Sequence, residues 1–335
     1  MITHPVRIIR RRIVRMRRRN RRAVEPHGLV LMYHRVGSAP VDPWGLCISA
    51  ERFASQLARL TEYADVVPLD ALRESLRTGL GTRPVVAITF DDGYVDNLEN
   101  AKPILHKHAA PATVFLTTGY VDRLRPFWWD IVAAATLAGH ALPARGRLDA
   151  DGATFTWSDS GLERTDAAGT AARRRLHDRL WTWVSKLDSA SRDQAAGRLR
   201  EWMPEGAQPT GGARPMTAGE VRELVSGGLL AIGAHTVSHC MLSQLSTTDK
   251  LAEIEQSRDD CRKLAGQEPT SFAYPHGNLD AESIELVRAA GFRLACTSRG
   301  DLMWSDTDPL SIPRFAVGNW TGEEFVARLS REWLP

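Results

Sequence analysis

The stretch "VVAITFDDGYVDN", residues 85–97, runs an apolar, strand-like segment straight into two adjacent carboxylates and a glycine. Neighbouring carboxylates repel each other, and burying either without a partner is costly, so a solvated Asp-Gly turn is one reading of the pair. The other is a strand end on which consecutive side chains diverge, so that one Asp can bind a cation while the other handles a proton. Choosing between them requires partners elsewhere in the chain.

The chain has 335 residues and is 43% hydrophobic, enough to bury the core of one large α/β domain or two smaller ones. Its formal net charge of +3 is unevenly spread. The segment "MITHPVRIIRRRIVRMRRRNRR" (1–22) has ten Arg and no acid, which leaves 33 basic against 40 acidic residues in the remainder. The body is mildly acidic, and the basic character belongs to an arm, residues 1–27. That arm lacks the apolar stretch and small-residue cleavage site of a secretory signal. The best apolar run, "IVAAATLAGHAL" (131–142), is too short to span a membrane and contains His140. The expected location is cytoplasmic, with the arm either a solvated tail or a basic helix lying peripherally on the anionic inner face of the membrane. Nucleic acid is not an expected partner, because no recognition fold accompanies the arm. Cys47, Cys240, Cys261 and Cys296 share no CxxC spacing and read as reduced thiols, with Cys240 either a ligand beside His239 or a buried filler.

After the arm, strand-like and helix-like segments alternate. "GLVLMYHRVG" (28–37) reads as a strand, followed by helices at about 49–63, with Ser49 as N-cap, and 70–78. "VVAITF" is the next strand, then a helix near 97–108 that Pro103 kinks or delays, then the strand "ATVFLTTG" (112–119). Residues 122–215 change texture and read as an insertion or lid, helical near 166–200, where Leu176, Leu180, Trp183, Val184 and Leu187 fall at helical spacing. Its Trp128 and Trp129 either shape a groove or pack a core. The rhythm resumes with a helix at 217–226, strands at 229–235 and 271–277 around a helix at 247–265, a helix near 280–290, strands at 292–298 and 311–317, and a last helix at 322–332. Such an order favours a parallel sheet with helical crossovers.

Several of these strands end on a chemically active group: His34, the Asp91–Asp92 pair, His235 and His276. In a barrel of parallel strands, residues just past the C-terminal ends meet at one mouth. His235 and His239 are four apart in "HTVSH", so a helical turn there would put both imidazoles on one face. With Asp92 as a third ligand the set becomes two imidazoles and one carboxylate with open positions, suited to a hydrolytic divalent ion: zinc first, with cobalt or nickel as alternatives.

These residues resemble the motifs of polysaccharide deacetylases of the NodB-homology class, carbohydrate esterase family 4. TFDDG stands at 89–93 and the His-x-x-x-His motif at 235–239, and the likeness covers about 28–121 and 216–330. It implies a distorted (β/α) barrel of seven strands, with the insertion at 122–215 lying within a catalytic domain of 28–335. It implies Asp91 as general base and Asp92, His235 and His239 as metal ligands. "MYHRVG" is similar to the subgroup acting on poly-N-acetylglucosamine and related exopolysaccharides, in which a histidine at this place is the catalytic acid; here that is His34, whose other reading is a core histidine bonded to a carbonyl.

The third motif departs from the family's common R-P-P-Y-G and reads Ala273-Tyr274-Pro275-His276-Gly277. The arginine that pairs with the base is missing there, while the backbone N–H at His276, beside Tyr274 and Pro275, remains able to serve an oxyanion. Arg314, in "SIPRF", is either the substitute cation for Asp91 or an ordinary surface arginine. The resemblance implies a metal-dependent hydrolase that removes N-acetyl groups from the sugars of a polysaccharide or its precursor. An O-acetyl esterase or amidohydrolase would use the same groups, and a catalytically silent carbohydrate-binding protein would keep the ligands without turnover.

Overall fold

Runs such as Val85–Phe90, buried at every position, need cover on both faces, and that is the signature of strands inside a parallel sheet wrapped by helices. The computed structural model describes residues 25–332 apart from 79–82, 165, 205–208 and 210. Most of the arm, residues 1–24, with its expected membrane contact, lies outside the described residues. Among those described, no helix is long and apolar enough to cross a membrane.

Six strands form the main parallel ladder: β1 (His27–Tyr33), β5 (Val85–Phe90), β6 (Ala112–Leu116), β9 (Leu230–Ala234), β10 (Ser271–Ala273) and β11 (Leu294–Cys296). They lie in the spatial order β11-β10-β9-β6-β5-β1. Shorter pieces take the intervening numbers: β2 (Arg35–Val36) pairs with β3 (Cys47–Ile48), and β4 (Asp65–Val66) pairs with the start of β5. The register aligns the C-terminal ends, pairing Tyr33 with Phe90, Phe90 with Val114, Leu116 with Ala234, and Ala273 with Cys296.

Side-chain alternation then sorts the faces. Leu29, Leu31, Val86, Ile88, Phe90, Val114, Leu116 and Ile232 join the outer core beneath the helices, whereas Val30, Ala87, Phe115, Ala273 and Cys296 cluster separately. Phe115 fills the interior so fully that a Cβ on Gly233 would stand 2.5 Å from its ring. By the same parity, His34, Asp91 and His235 continue the inward-facing set one step beyond the strand ends.

The sequence reading expects one strand at 311–317; the chain there instead serves two neighbours in turn. Ile312 bridges Cys296 of β11, and the two-residue strand β13 (Phe315–Ala316) pairs with Leu31 and Met32 of β1. This segment carries the ladder from its last strand back to its first, as the seventh stave. A short strand β12 (Met303–Trp304) adds an antiparallel contact at the start of β1.

Residues 122–215 build a core of their own around Phe127, Trp128, Leu148, Phe155, Leu176 and Leu180. It contains helices Trp128–Leu137, Ala167–Val184 and Ser189–Trp202, the last two capped by Asp166 and Asp188, and a hairpin of β7 (Arg145–Ala150) and β8 (Ala153–Ser158). The turn residues Asp151 and Gly152 both have positive φ, as a two-residue hairpin requires.

Candidate functional site

Asp91 and Asp92 are adjacent in sequence, yet their side chains serve different partners. The Asp91 N–H still bonds the Tyr33 carbonyl oxygen at 3.0 Å, as a strand residue would, while Asp92 turns to φ 75° and Gly93 to φ 81°. Seven non-glycine residues have positive φ among those described, and Asp92, Thr236, His239 and His276 are four of them. Backbone strain is thus concentrated at one mouth of the barrel.

Asp91 meets Arg314 in a two-pronged pair, each Nη standing 2.7 Å from one carboxylate oxygen. Arg314 is 1% exposed and also donates to Thr89 Oγ1 at 3.1 Å and to the Thr297 carbonyl oxygen at 2.9 Å. Burial would raise the Asp91 pKa, but Arg314, helped by His235, outweighs it and holds the carboxyl well below the usual range. His34 Nε2 lies 4.0 Å from Asp91 Oδ2, and the His34 carbonyl oxygen accepts from Asn97.

Asp92 Oδ1 faces both imidazoles, 3.6 Å from His235 Nε2 and 3.3 Å from His239 Nε2. These three buried residues offer ligand atoms that all lie within 4.8 Å of one another. His235 Nδ1 is 2.8 Å from the Ala273 carbonyl oxygen. A carbonyl only accepts, so Nδ1 carries the hydrogen and Nε2 presents its lone pair to the site. Burial first, and for His239 then Arg192, holds the imidazoles down, His235 to about 4 and His239 to about 3, so both are neutral at physiological pH. Burial raises the pKa of Asp92, and its Oδ1 has no hydrogen-bond partner. A buried carboxylate oxygen without a donor, facing the Nε2 atoms of two neutral imidazoles, fits a divalent cation.

The sequence reading puts His235 and His239 on one face of a helical turn; the structure differs. Residues 235–239 form a loop in which Thr236 and His239 are left-handed, with φ 60° and 57°. Glu253 secures it by accepting from the N–H groups of Val237 and Ser238 and from Ser238 Oγ. Thr236 Oγ1 accepts from the His239 N–H at 3.0 Å.

His34, Asp91, Asp92, His235, His239 and Arg314 line a cavity of about 370 Å³ together with Trp44, Trp129, Trp181 and His276. Trp129 approaches His239 at 4.6 Å between ring centroids, and His276 approaches it at 4.5 Å from another side. Trp128 packs within the insertion core. The Tyr274 hydroxyl donates to the Leu310 carbonyl oxygen in the outer core, while Tyr274 also contributes to the cavity lining; Pro275 is buried outside that lining. Cys240 is buried next to His239 and is not among the three clustered ligand residues. Trp44, Trp181, Glu253 and Arg192 carry no motif; the only signal for Trp44 is a tryptophan in the polar, Pro- and Gly-containing loop "APVDPWG".

In comparisons with known proteins, the sequence model of the polysaccharide deacetylase family matches residues 79–165 and 203–295. A stretch of 89 residues is 32% identical to YxkH of Bacillus subtilis (strain 168); it covers 26% of this chain and only 30% of that protein. Among solved structures, the fold is similar to the deacetylase PplD of Streptococcus pyogenes (TM-score 0.58, 18% identity, 90% of this chain and 97% of that one). It is also similar to IcaB from Ammonifex degensii (TM-score 0.55, 19% identity, 91% and 97%). The structural likenesses speak for the curled, helix-wrapped sheet, and the sequence model, which spans more than half of the chain and includes both motifs of the site, speaks for descent: this protein belongs to the polysaccharide deacetylase family.

Proposed function

We propose that the protein is a metal-dependent hydrolase that removes N-acetyl groups from the sugars of a polysaccharide or its precursor. The observation that carries this reading is the divergence of Asp91 and Asp92: one carboxylate is kept ionised by Arg314, and the other is grouped with two neutral imidazoles. In the same reading, residues 28–335 are the catalytic domain and 122–215 an insertion within it.

Amide hydrolysis needs a nucleophile at neutral pH, a stabilised oxyanion and a protonated leaving amine. A divalent ion, zinc by the chemistry of its ligands, would be held by Asp92, His235 and His239 and would supply an acidified water and a Lewis-acid contact for the acyl oxygen. Asp91, ionised and oriented by Arg314, takes the proton of the attacking water. The backbone N–H at His276 donates to the oxyanion as it develops. His34, across the carboxylate from Arg314, donates a proton to the departing sugar nitrogen, and acetate leaves.

The test is acetate release from N-acetylglucosamine oligomers and from simple acetyl esters, with Zn²⁺ or Co²⁺ supplied. Wild-type protein is expected to release acetate from the oligomers, and Asp91→Asn to lose about 10²–10⁴ of that rate while still binding metal. Stoichiometric metal with no release from either substrate class would overturn the reading.

A further inference from the structure

The two stretches that match the family model leave out residues 166–202, which are the helices Ala167–Val184 and Ser189–Trp202 of the insertion. From the second of these helices Arg192 reaches the loop that carries both histidines. Its Nη1 donates to the Ser238 carbonyl oxygen at 2.9 Å and its Nη2 to the Ser185 carbonyl oxygen at 3.0 Å. The guanidinium also faces the ring of Trp128, 6.0 Å from its centroid. Arg192 is 6% exposed, and its Nε has no partner.

A buried guanidinium is expensive unless its donors are used, and an arginine that only packed the insertion would find acceptors there. Arg192 instead divides its hydrogen bonds between the end of one insertion helix and the residue immediately before His239. Ser238 is thereby gripped from two sides: Glu253 takes its N–H and hydroxyl, and Arg192 takes its carbonyl. The next peptide plane, between Ser238 and His239, is held at both ends, its carbonyl by Arg192 and its N–H by Thr236 Oγ1, so it cannot rotate freely. That plane sets the left-handed backbone of His239 and hence the direction of its imidazole. Glu253 comes from the helix Thr247–Ala265 of the family-matched part, whereas Arg192 comes from outside it.

We infer that Arg192 is a positioning residue for the metal centre: the insertion completes the ligand set by fixing the Ser238–His239 peptide, so cation affinity depends on a segment outside the family's common sequence. The inference rests on the metal-centre reading above. Groups one shell out from a metal typically contribute a factor of about 10–100 in affinity.

The test is Zn²⁺ affinity by competition with a chromophoric chelator, on the full chain, with the melting temperature of the metal-free protein measured in parallel. Arg192→Met is expected to weaken Zn²⁺ binding at least about tenfold, and Arg192→Lys, which keeps the charge but not the two-carbonyl grip, to fall between it and wild type. Arg123→Met is the control: Arg123 bonds Asp193 on the same helix at 2.8 Å without touching the loop, and its loss is expected to leave the affinity unchanged. If Arg192→Met does not fold, Arg192→Lys carries the test through the visible absorption of its Co²⁺ form, which is expected to differ from wild type. Affinities of the Arg192 variants within twofold of wild type overturn the inference, as does an equal loss in Arg123→Met or, where Lys alone folds, a superimposable Co²⁺ spectrum. A wild-type protein with no saturable Zn²⁺ binding removes the metal-centre reading itself, a result distinct from either.

Discussion

Arg314 closes on Asp91 from 223 residues away along the chain, with both nitrogens of its fork on both oxygens of the carboxylate. The family's usual partner for this aspartate comes from the third motif, where this chain has Ala273. Here the cation comes from a different segment, just before β13.

Replacing Arg314 with Met leaves a buried carboxylate without its cation, which costs about 3–5 kcal/mol in comparable pairs. The pKa of Asp91 is depressed in the folded state, so the pair's stabilisation is complete above the unfolded-state value of about 3.9 and disappears as pH falls through the folded value. Urea denaturation at pH 7 is expected to show the full loss in Arg314→Met, and the variant's deficit is expected to shrink in strong acid. The acid limb of its pH–activity profile is expected to move upward. A profile superimposable on wild type would separate Arg314 from the ionisation of Asp91.

Behind the cavity lies a second carboxylate cluster. Arg35 bonds Asp96 at 3.0 Å, and the Tyr94 hydroxyl donates to Asp130 at 2.9 Å while accepting from Trp129 Nε1 at 2.7 Å. Burial pushes Asp96 up to about 6 and Asp130 up to about 7. A raised carboxyl favours the folded state below its unfolded pKa of about 3.9, and that contribution is lost as pH rises through 6–7. Asp130→Asn keeps the acceptor for Tyr94 and removes the charge. Its stability relative to wild type is expected to rise between pH 5 and pH 8 by on the order of 1 kcal/mol or more, read from urea midpoints. A constant difference across that range would mean that Asp130 does not titrate there.

Metal binding is expected to stabilise the fold by mass action, by about 2.7 kcal/mol at a free Zn²⁺ concentration one hundred times Kd. Thermal unfolding with and without Zn²⁺ measures it. Asp92→Asn, which keeps the side-chain shape but weakens the ligand, is expected to lose most of the Zn²⁺-induced rise, and a chelator to abolish acetate release until metal is restored.

Trp44 is 52% exposed at the cavity rim, with its ring 5.6 Å from that of Trp181. An exposed tryptophan beside the cavity would offer an apolar face to a sugar ring. Trp44→Ala is expected to raise KM for an oligosaccharide roughly threefold to tenfold, as about 0.5–1.5 kcal/mol per aromatic contact implies, with a smaller change on a simple acetyl ester. Equal effects on both substrates would place Trp44 outside the sugar contacts.

Much of the barrel could be read from the chain because its strands are short apolar runs ending on polar groups, and one parity rule delivers His34, Asp91 and His235 to the same mouth. The details that escaped have physical reasons. The four-residue spacing of His235 and His239 is compatible with a helical turn, but two left-handed residues and the grip on Ser238 produce the same proximity in a loop. The helix Trp128–Leu137 is buried nearly all round and shows no amphipathic stripe. The hairpin β7–β8 did leave a signal, Asp151-Gly152 between alternating Leu148, Ala150, Phe155 and Trp157, which the polar texture of the region obscured. Arg192 and Glu253 left none, since each acts on a backbone group of another segment.

The seventh stave has a consequence for how the chain matures on the ribosome. Residues 309–316 both close the ring between β11 and β1 and bring Arg314 to Asp91. A nascent chain with its first six staves already extruded has an open seam and an aspartate in apolar surroundings with no cation. Synthesis proceeds from the N-terminus, so Arg314, the group that keeps Asp91 ionised, is made only after all six strands of the main ladder. Barrel closure and the ionisation of Asp91 therefore wait on the same late segment.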